Sequence, residues 1–503
     1  MMKELGHRYR KRKILFWSIE NKDFNHYVDE YMEHLDKSLE EFIQQEKAVN
    51  NLQEKITVAK KVLDETQKTY KQQQSIVNGF RSKNILFFDD AYMDNLLSVD
   101  EAVSTKAQVS NPWFTDEYNR EREKLFWLAM QVHKEFILAS KKWRDNISNL
   151  MLIWDVLEKD DDKRIIYHEA DRKAAMPALL QSLSLLVPVI STTFAAVGRF
   201  LADVKNPGAV GTLIVDEAGQ AEPQMALGAL YRARRAIIVG DPKQVEPVVT
   251  NELDLLKNTY KDSLYDSYRK KSISVQQFAD GINLWGTYLH HDDGADGKEW
   301  IGCPLLVHRR CIDPMYSISN EISYNGIMKK QTAEPSAEKR VKFLHDESYW
   351  LDVSGKEQGN KNHYVKEQGE LIVEMVSKAF QQAPDGPSLY IISPFNSVVY
   401  GVGQLLKQRL SAISGIGVWC KSNIGTVHKF QGKEADEVIF ALGCDDSSQA
   451  SGAVKWVNSN IVNVASTRAK YRLYVIGSRE VWKENPWIYK MMNIMDGYRR
   501  SGI

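Results

Sequence analysis

Cysteine is scarce: four residues in 503, at 303, 311, 420 and 444, with no CxxC pair among them. That spacing gives no zinc-site signature. It fits reduced thiols in a cytosolic chain, so a cytoplasmic location is expected. An excess of one charge is also missing, because Lys plus Arg and Asp plus Glu both number 66. The chain as a whole is therefore not a basic nucleic-acid coat, and any such binding must come from local patches. Long apolar runs are absent too. The most apolar window, Leu185 to Leu201, is interrupted by Pro188, Ser191, Thr192, Thr193, Gly198 and Arg199, too short and polar for a membrane span. The opening MMKELGHRYRKRKILFW is basic but lacks an apolar signal core and a small-residue cleavage site, so no signal peptide is expected. Internal repeats and low-complexity tracts are missing as well.

What is present is an ordinary globular balance, 43% hydrophobic and 26% charged, in a chain long enough for about two to four domains. Residues 1–16 carry six Lys/Arg against one Glu, which fits either a solvated segment or a phosphate contact. Residues 28–77 contain no Pro or Gly, and apolar or neutral residues recur at a spacing of three to four. That predicts a long helix with coiled-coil character. A second helical pattern over 114–157, with Phe126, Ala129, Val132, Phe136, Ile137 and Trp143, predicts an antiparallel stalk. Turn signals at Asp89-Asp90 and Ser110-Asn111-Pro112-Trp113 separate the two. Such a stalk suits a protein partner, a nucleic-acid contact, a spacer or a dimer arm equally.

From about Ala178 strands and helices alternate. Leu213 to Val249 reads LIVDEAGQAEPQMALGALYRARRAIIVGDPKQVEPVV. Two apolar runs flank a segment of helical length, as buried parallel strands do, and each ends in an acidic turn. Chemistry in such sheets sits beyond the carboxyl ends of the strands. The first turn, Asp216-Glu217, has the Walker B arrangement: one carboxylate to hold Mg²⁺, assigned to Asp216, and a neighbour, Glu217, to polarise the attacking water. The second turn delivers Gly240, Asp241 and Gln244; an uncharged Gln is suited to feeling a γ-phosphate. Ser191, Thr192 and Thr193 end a strand expected at Pro188–Thr193. Leu253 to Tyr288 is expected to be largely helical, and residues 291–299, HDDGADGKE, form a surface loop or a cation site. Further strands are expected at Leu389–Pro394, Val438–Leu442 and Leu473–Gly477, with helices over 366–382, 397–411 and around Ala465.

Seven stretches, in order, resemble the motifs of the superfamily 1 helicases, in the branch of the RNA-surveillance helicases and the replication nuclease-helicases. They are VPVISTTF (187–194), VDEAGQ (215–220), GDPKQVEP (240–247), LLVHRRCIDPM (305–315), IISPFNSVV (391–399), IGTVHKFQGKEADEVIFALG (424–443) and VNVASTRAK (462–470). The resemblance implies an α/β fold of two RecA-like parallel sheets, one partial and one complete, beside the coiled-coil stalk. The implied limits are 1–177 for the stalk, 178–298 for the carboxy-terminal half of the first motor domain and 299–503 for the second. It implies ATP and Mg²⁺ as cofactors. Arg310 and Arg468 are implied as arginine fingers, whose forked guanidinium suits phosphate. Gly432 and Glu434 are implied beside the nucleotide. Ser191, Thr192, Thr193, Pro394, Asn396, Thr426 and His428 are implied as contacts to the backbone of single-stranded DNA or RNA.

The departure is the phosphate-binding loop, GxxxxGK[ST], whose backbone amides and Lys cradle phosphates. Gly297-Lys298, Gly355-Lys356 and Gly432-Lys433 have Asp292, Trp350 and Val427 where the first Gly would stand. Gly415 with Cys420-Lys421-Ser422 comes nearest, and is expected to be a strand edge. The chain is therefore expected to be the carboxy-terminal part of an ATP-dependent helicase, with little hydrolysis of its own. The alternatives are a split motor whose P-loop lies on another polypeptide, and an ATPase-inactive nucleic-acid-binding scaffold. A half-sheet without its missing strands would expose edges and apolar surface.

Overall fold

The computed structural model describes residues 22–82, 88–110, 116–154, 168–247, 273–290, 298–359, 362–446 and 452–501. The basic segment 1–16 and the loop aspartates Asp292 and Asp293 lie outside them. The chain forms two compact units, 1–93 with 111–116, and 94–110 with 117–503.

The first unit is dominated by one 60-residue helix, Lys22–Arg81. Good helix formers fill it and its only glycine, Gly79, stands near the end, so propensity alone favours it. Its stripe residues Phe42, Val49, Leu52, Ile56 and Leu63 are all more than half exposed. The predicted helix is present, but the burial that would make it a coiled coil is not.

In the second unit, helix Asp116–Ala139 also buries no residue. The helices Lys141–Trp154 and Glu169–Leu186 do pack, through Leu150, Met176, Leu179 and Leu183. The Trp143 Nε1–H donates to the Ser182 carbonyl at 2.8 Å, and the Asn146 amide to its hydroxyl at 2.8 Å.

Strands β1 (Val210–Val215) and β2 (Ala233–Ile238) pair in parallel around helix Pro223–Arg232. This is the strand–helix–strand order expected for the segment. Val215, Ala218, Ala226 and Val275 form the core under one face. Ile214 and Ile237, on the other face, are 61% and 52% exposed. Among the described residues this sheet has two strands only, with a bare apolar face. The strand expected at Pro188–Thr193 does not form. With no described neighbour to pair its backbone, the segment runs as irregular chain into helix Phe194–Phe200, which Thr193 caps through its side-chain oxygen. Of Leu253–Tyr288, residues 253–272 lie outside the described residues. The remainder gives helix Val275–Ile282 and then strand β3 (Gly286–His290), antiparallel to β4 (Lys298–Gly302).

Strand β5 (Val307–His308) pairs in parallel with β6 (Lys329–Lys330), and helix Met315–Ser323 lies between them. The main sheet takes β7 (Tyr349–Asp352), β8 (Leu389–Ser393), β9 (Ile424–Thr426), β10 (Ala435–Ala441) and β11 (Ala469–Gly477). All its pairs are parallel, in the order β7-β11-β10-β8-β9. Val438, Phe440, Leu473 and Val475 fill one core, while Ile439, Ala441, Tyr474 and Ile476 fill the other. Period-two alternation with both faces apolar explains why the central strands read as continuous hydrophobic runs. The helices Lys366–Gln382, Asn396–Arg409 and Ser459–Thr467 lie where expected. The segment expected as a strand edge, Gly415 to Ser422, is instead the cap and most of helix Ile416–Asn423. Gly415 takes the left-handed N-cap position there at φ 77°, and Cys420 is buried against the core.

Candidate functional site

Both acidic turns stand at the carboxyl ends of the first pair of strands. They are knitted beyond the sheet by Val239 N–H to the Val215 carbonyl at 2.8 Å and Ala218 N–H to the Val239 carbonyl at 2.9 Å. A Cβ on Gly240 would lie 2.8 Å from the Gly219 nitrogen, so only glycine permits this approach. Glu217 sits in the left-handed region at φ 53°, a conformation costly for a non-glycine residue and one that gathers at working sites. Its Oε2 accepts from Gln220 Nε2 at 3.0 Å and from Gln431 Nε2 at 3.2 Å. Gly432, at φ 76°, lies so close that a Cβ would be 3.4 Å from Glu217 Oε1. The expected water-activating carboxylate is thus held from both halves of the second unit.

Asp216 is exposed, and its Oδ1 accepts from the Glu217 N–H at 2.9 Å. Mg²⁺ takes one or two carboxylates and completes its shell with water and phosphate oxygens. One solvent-facing carboxylate at a strand end, with its other oxygen uncommitted among the described residues, fits that donor set.

Asp241 is a hub. Its Oδ1 accepts from Lys243 N–H at 2.9 Å, and its Oδ2 accepts from Gln244 Nε2 at 3.0 Å and from the Tyr324 hydroxyl. Burial, and then the Asp241 charge, push the Tyr324 phenol well above its ordinary pKa, so it stays a donor. Asn463 donates to the Tyr324 oxygen at 3.2 Å and to the Lys243 carbonyl at 2.8 Å, and it accepts from Ser319 Oγ at 2.7 Å. The GDPKQ turn is therefore tied directly to the VNVASTRAK helix. Lys243 is buried and pairs with Glu299 at 2.9 Å.

A cleft of about 520 Å³ opens beside this hub. Asp241, Gln244, Arg310, Glu434, Thr467 and Lys470 are among the residues that line it. Glu434 bridges Lys470 at 2.5 Å and Arg310 at 3.6 Å. Arg310 is about one third exposed and loosely held. Beside it, His308 is kept neutral, because burial and the Arg310 charge lower its pKa to about 4. Its Nε2 accepts from the Cys311 N–H at 3.0 Å. Arg468 does not line the cleft. It is fully buried, with Nη1 donating to the Lys433 and Phe430 carbonyls at 3.0 and 3.3 Å and Nε to the Val464 carbonyl at 3.2 Å. Burial, with Arg310 nearby, lowers its pKa to about 10, which leaves it charged at neutral pH.

The residues implied for nucleic acid fall into two places. Pro394 and Asn396 follow β8, and Thr426 and His428 end or follow β9; those strands are neighbours, so the four share one end of the main sheet. Asn396 and His428 are exposed there and Pro394 is buried. Ser191 and Thr192 are exposed on irregular chain before the helix that Thr193 caps. Sequence reasoning missed Tyr324, Asn463 and Gln431 as linking residues. Asn463 and Gln431 lie inside quoted motifs, whereas nothing around Tyr324 in the sequence marks it.

Two family models, each described as an AAA domain, match residues 5–252 and 298–480. "Helicase sen1" of Schizosaccharomyces pombe is 25% identical over 377 residues, covering 72% of this chain and 20% of that protein. "Regulator of nonsense transcripts 1" of Dictyostelium discoideum is 22% identical over 339 residues, 66% of this chain and 22% of that one. "DNA replication ATP-dependent helicase/nuclease DNA2" of Saccharomyces cerevisiae is 23% identical over 317 residues, 61% and 20%. The chain thus spans about a fifth of the length of these relatives. A solved arterivirus nonstructural protein 10 (helicase) with DNA overlays at 12% identity and a TM-score of 0.25, covering 55% of this chain and 41% of that one. That likeness is too slight to bear on the fold or the site. No helix of the described residues is long and apolar enough to cross a membrane.

Proposed function

The chain belongs to the superfamily 1 helicases, in the branch of the RNA-surveillance helicases and the replication nuclease-helicases, and from that membership we propose that it supplies the metal, water and arginine side of an ATP-driven motor on single-stranded DNA or RNA. The observation that carries this reading is the grip on Glu217 by Gln431 and Gly432. It couples the carboxylate that would activate water to the segment that would follow nucleic acid.

Asp216 would hold Mg²⁺, which when bound neutralises charge between phosphate oxygens. Glu217 orients and deprotonates the attacking water. Gln244, fixed by Asp241, faces the cleft and senses the γ-phosphate; Gly240 lets that turn approach closely. Arg310 stabilises the charge of the transition state, and Glu434 holds Arg310 until phosphate replaces it. Arg468 is the second finger, reached when its carbonyl partners are exchanged for phosphate. Pro394, Asn396, Thr426 and His428 position the backbone of the strand at the end of β8 and β9, with Ser191, Thr192 and Thr193 on the first motor domain. No stretch of the sequence reads GxxxxGK[ST], and the Ile214 and Ile237 face of β1 and β2, bare among the described residues, supports further strands packing there.

The test is Mg²⁺-dependent ATP hydrolysis with single-stranded DNA and RNA. The 503-residue protein alone is expected to turn over slowly or not at all. Added polypeptide carrying the family's P-loop half is expected to raise turnover, and Glu217→Gln or Arg310→Ala to abolish the gain, the latter by roughly 10³-fold. Robust turnover by the chain alone would overturn the placement of the P-loop. Gained turnover indifferent to Glu217→Gln would overturn the catalytic assignment.

A further inference from the structure

Outside the cleft, the loops that follow β7 and β10 bring three metal-binding side chains together. Glu357, His363 and Cys444 each direct a donor atom into one spot, and all three donors lie within 4.8 Å of one another. Glu357 and His363 share one loop and Cys444 comes from the other, so their spacing in sequence carries no zinc signature. His363 Nδ1 stands 3.3 Å from Glu357 Oε1, close to the separation of about 3.4 Å that two donors take around a tetrahedral ion with bonds near 2.1 Å. The Glu357 and His363 side chains are 3% and 18% exposed, and Cys444 is 1% exposed.

The surrounding backbone is shaped to hold these donors. His363 and Cys444 both adopt left-handed conformations, at φ 56° and 68°, and non-glycine residues are rarely held there without a reason. The Cys444 N–H donates to the His363 carbonyl at 2.8 Å. Gly443 permits that contact, because a Cβ there would sit 2.2 Å from the His363 oxygen. The His363 N–H fixes Glu357 Oε2 at 3.0 Å, and the Glu357 N–H is fixed by Asp445 Oδ2 at 3.0 Å.

We propose that Glu357, His363 and Cys444 form a binding site for a zinc-class transition-metal ion. A thiolate with an imidazole selects zinc over magnesium or calcium, which take oxygen donors. Binding releases one proton to solvent, from the Cys444 thiol. In the complex Nδ1 binds the ion and the ring carries its proton on Nε2. A thiolate and a carboxylate then balance the two charges of the ion, so the buried site is neutral. Three protein donors leave a fourth position for water. The His363 ring also packs on Phe395, with centroids 4.5 Å apart. Phe395 stands between Pro394 and Asn396, so the ion would brace the turn at the end of β8.

The full chain, stripped with chelator and dialysed, is titrated with Co²⁺ and then Zn²⁺. One equivalent of Co²⁺ is expected to give a thiolate-to-cobalt charge-transfer band, which one equivalent of Zn²⁺ bleaches. The band should be lost in Cys444→Ser and kept in Cys303→Ser, which alters an exposed thiol elsewhere. Zinc should raise the melting temperature of the wild-type chain by mass action, and not that of His363→Asn. Absence of the band in wild-type protein, or its survival in Cys444→Ser, would overturn the proposal. The wild-type titration decides the matter even if a variant fails to fold.

Discussion

Glu437 makes the main sheet sensitive to pH. It lies on β10, 3% exposed, and its Oε1 accepts from the Tyr474 hydroxyl at 2.6 Å and the Leu344 N–H at 2.9 Å. Burial outweighs both hydrogen bonds and the nearby Arg472, and raises its pKa from 4.5 to about 7. A raised folded-state pKa means that the native state holds the proton more tightly than the unfolded chain. The associated stability is complete below pH 4.5 and is lost as pH rises through about 7. At 1.36 kcal/mol per unit, the loss between pH 5 and 8.5 is about 2.5 kcal/mol. Glu437→Gln keeps the acceptor oxygen and cannot ionise. Urea unfolding of both proteins, followed by tryptophan fluorescence, should therefore show the wild type losing about 2.5 kcal/mol relative to the variant across that range. Protection of β10 and β11 amides from exchange would assign the transition to this sheet. Parallel pH profiles for the two proteins would refute a protonated, buried Glu437.

Arg468→Ala should destabilise the second unit by about 2–4 kcal/mol, because it strands the buried Phe430, Lys433 and Val464 carbonyls. Arg310→Ala, at a side chain about one third exposed, should cost under about 1 kcal/mol in the same urea titration. Tyr324→Phe removes the hydroxyl that joins Asp241 to Asn463; a loss of about 1–3 kcal/mol is expected by thermal or urea unfolding, and no change would mean the link carries no load. Gly432→Ala meets a left-handed backbone and Glu217 Oε1 at 3.4 Å; a cost of about 1–2 kcal/mol is expected, with a larger proportional loss in reconstituted ATP turnover.

The main sheet was legible in sequence because its central strands are buried on both faces. Val438 to Leu442 and Leu473 to Gly477 carry apolar residues at every position, and the structure buries that whole stretch of β10 and β11. The helices between them follow from periodicity and lie within a few residues of expectation. Strand β9 escaped notice because three residues are too few for any period to show. The segment Gly415 to Ser422 misled because its Ile-Gly-Val-Trp-Cys run is apolar enough for a strand edge, whereas Gly415 is the left-handed cap of a helix. The run at Pro188–Thr193 is apolar enough for a strand, but strand formation is a property of pairs, and the partner is not among the described residues. The long helix shows the same limit in reverse: a spacing of three to four fixes helicity, while burial of the stripe depends on a surface that the sequence cannot name.

The acidic turns were legible for a different reason. Asp216, Glu217, Asp241 and Gln244 sit at strand ends, where the local pattern fixes both position and exposure. Arg310 and Arg468 share a motif-level resemblance, yet their environments diverge. Arg310 is held by one carboxylate at 3.6 Å and lines the cleft, whereas Arg468 has three backbone carbonyls and no exposure. Sequence reports that both guanidinium groups exist, but the energy needed to present each one is set by partners far along the chain. The donors Glu357, His363 and Cys444 follow the same logic. The first two stand six positions apart on one loop and the second pair 81 positions apart, and only the parallel order of the main sheet, which sets the ends of β7 and β10 on the same side, brings Cys444 to the other two. A motif search finds chemistry that one strand end carries by itself; chemistry assembled from several strand ends becomes visible only once the sheet order is known.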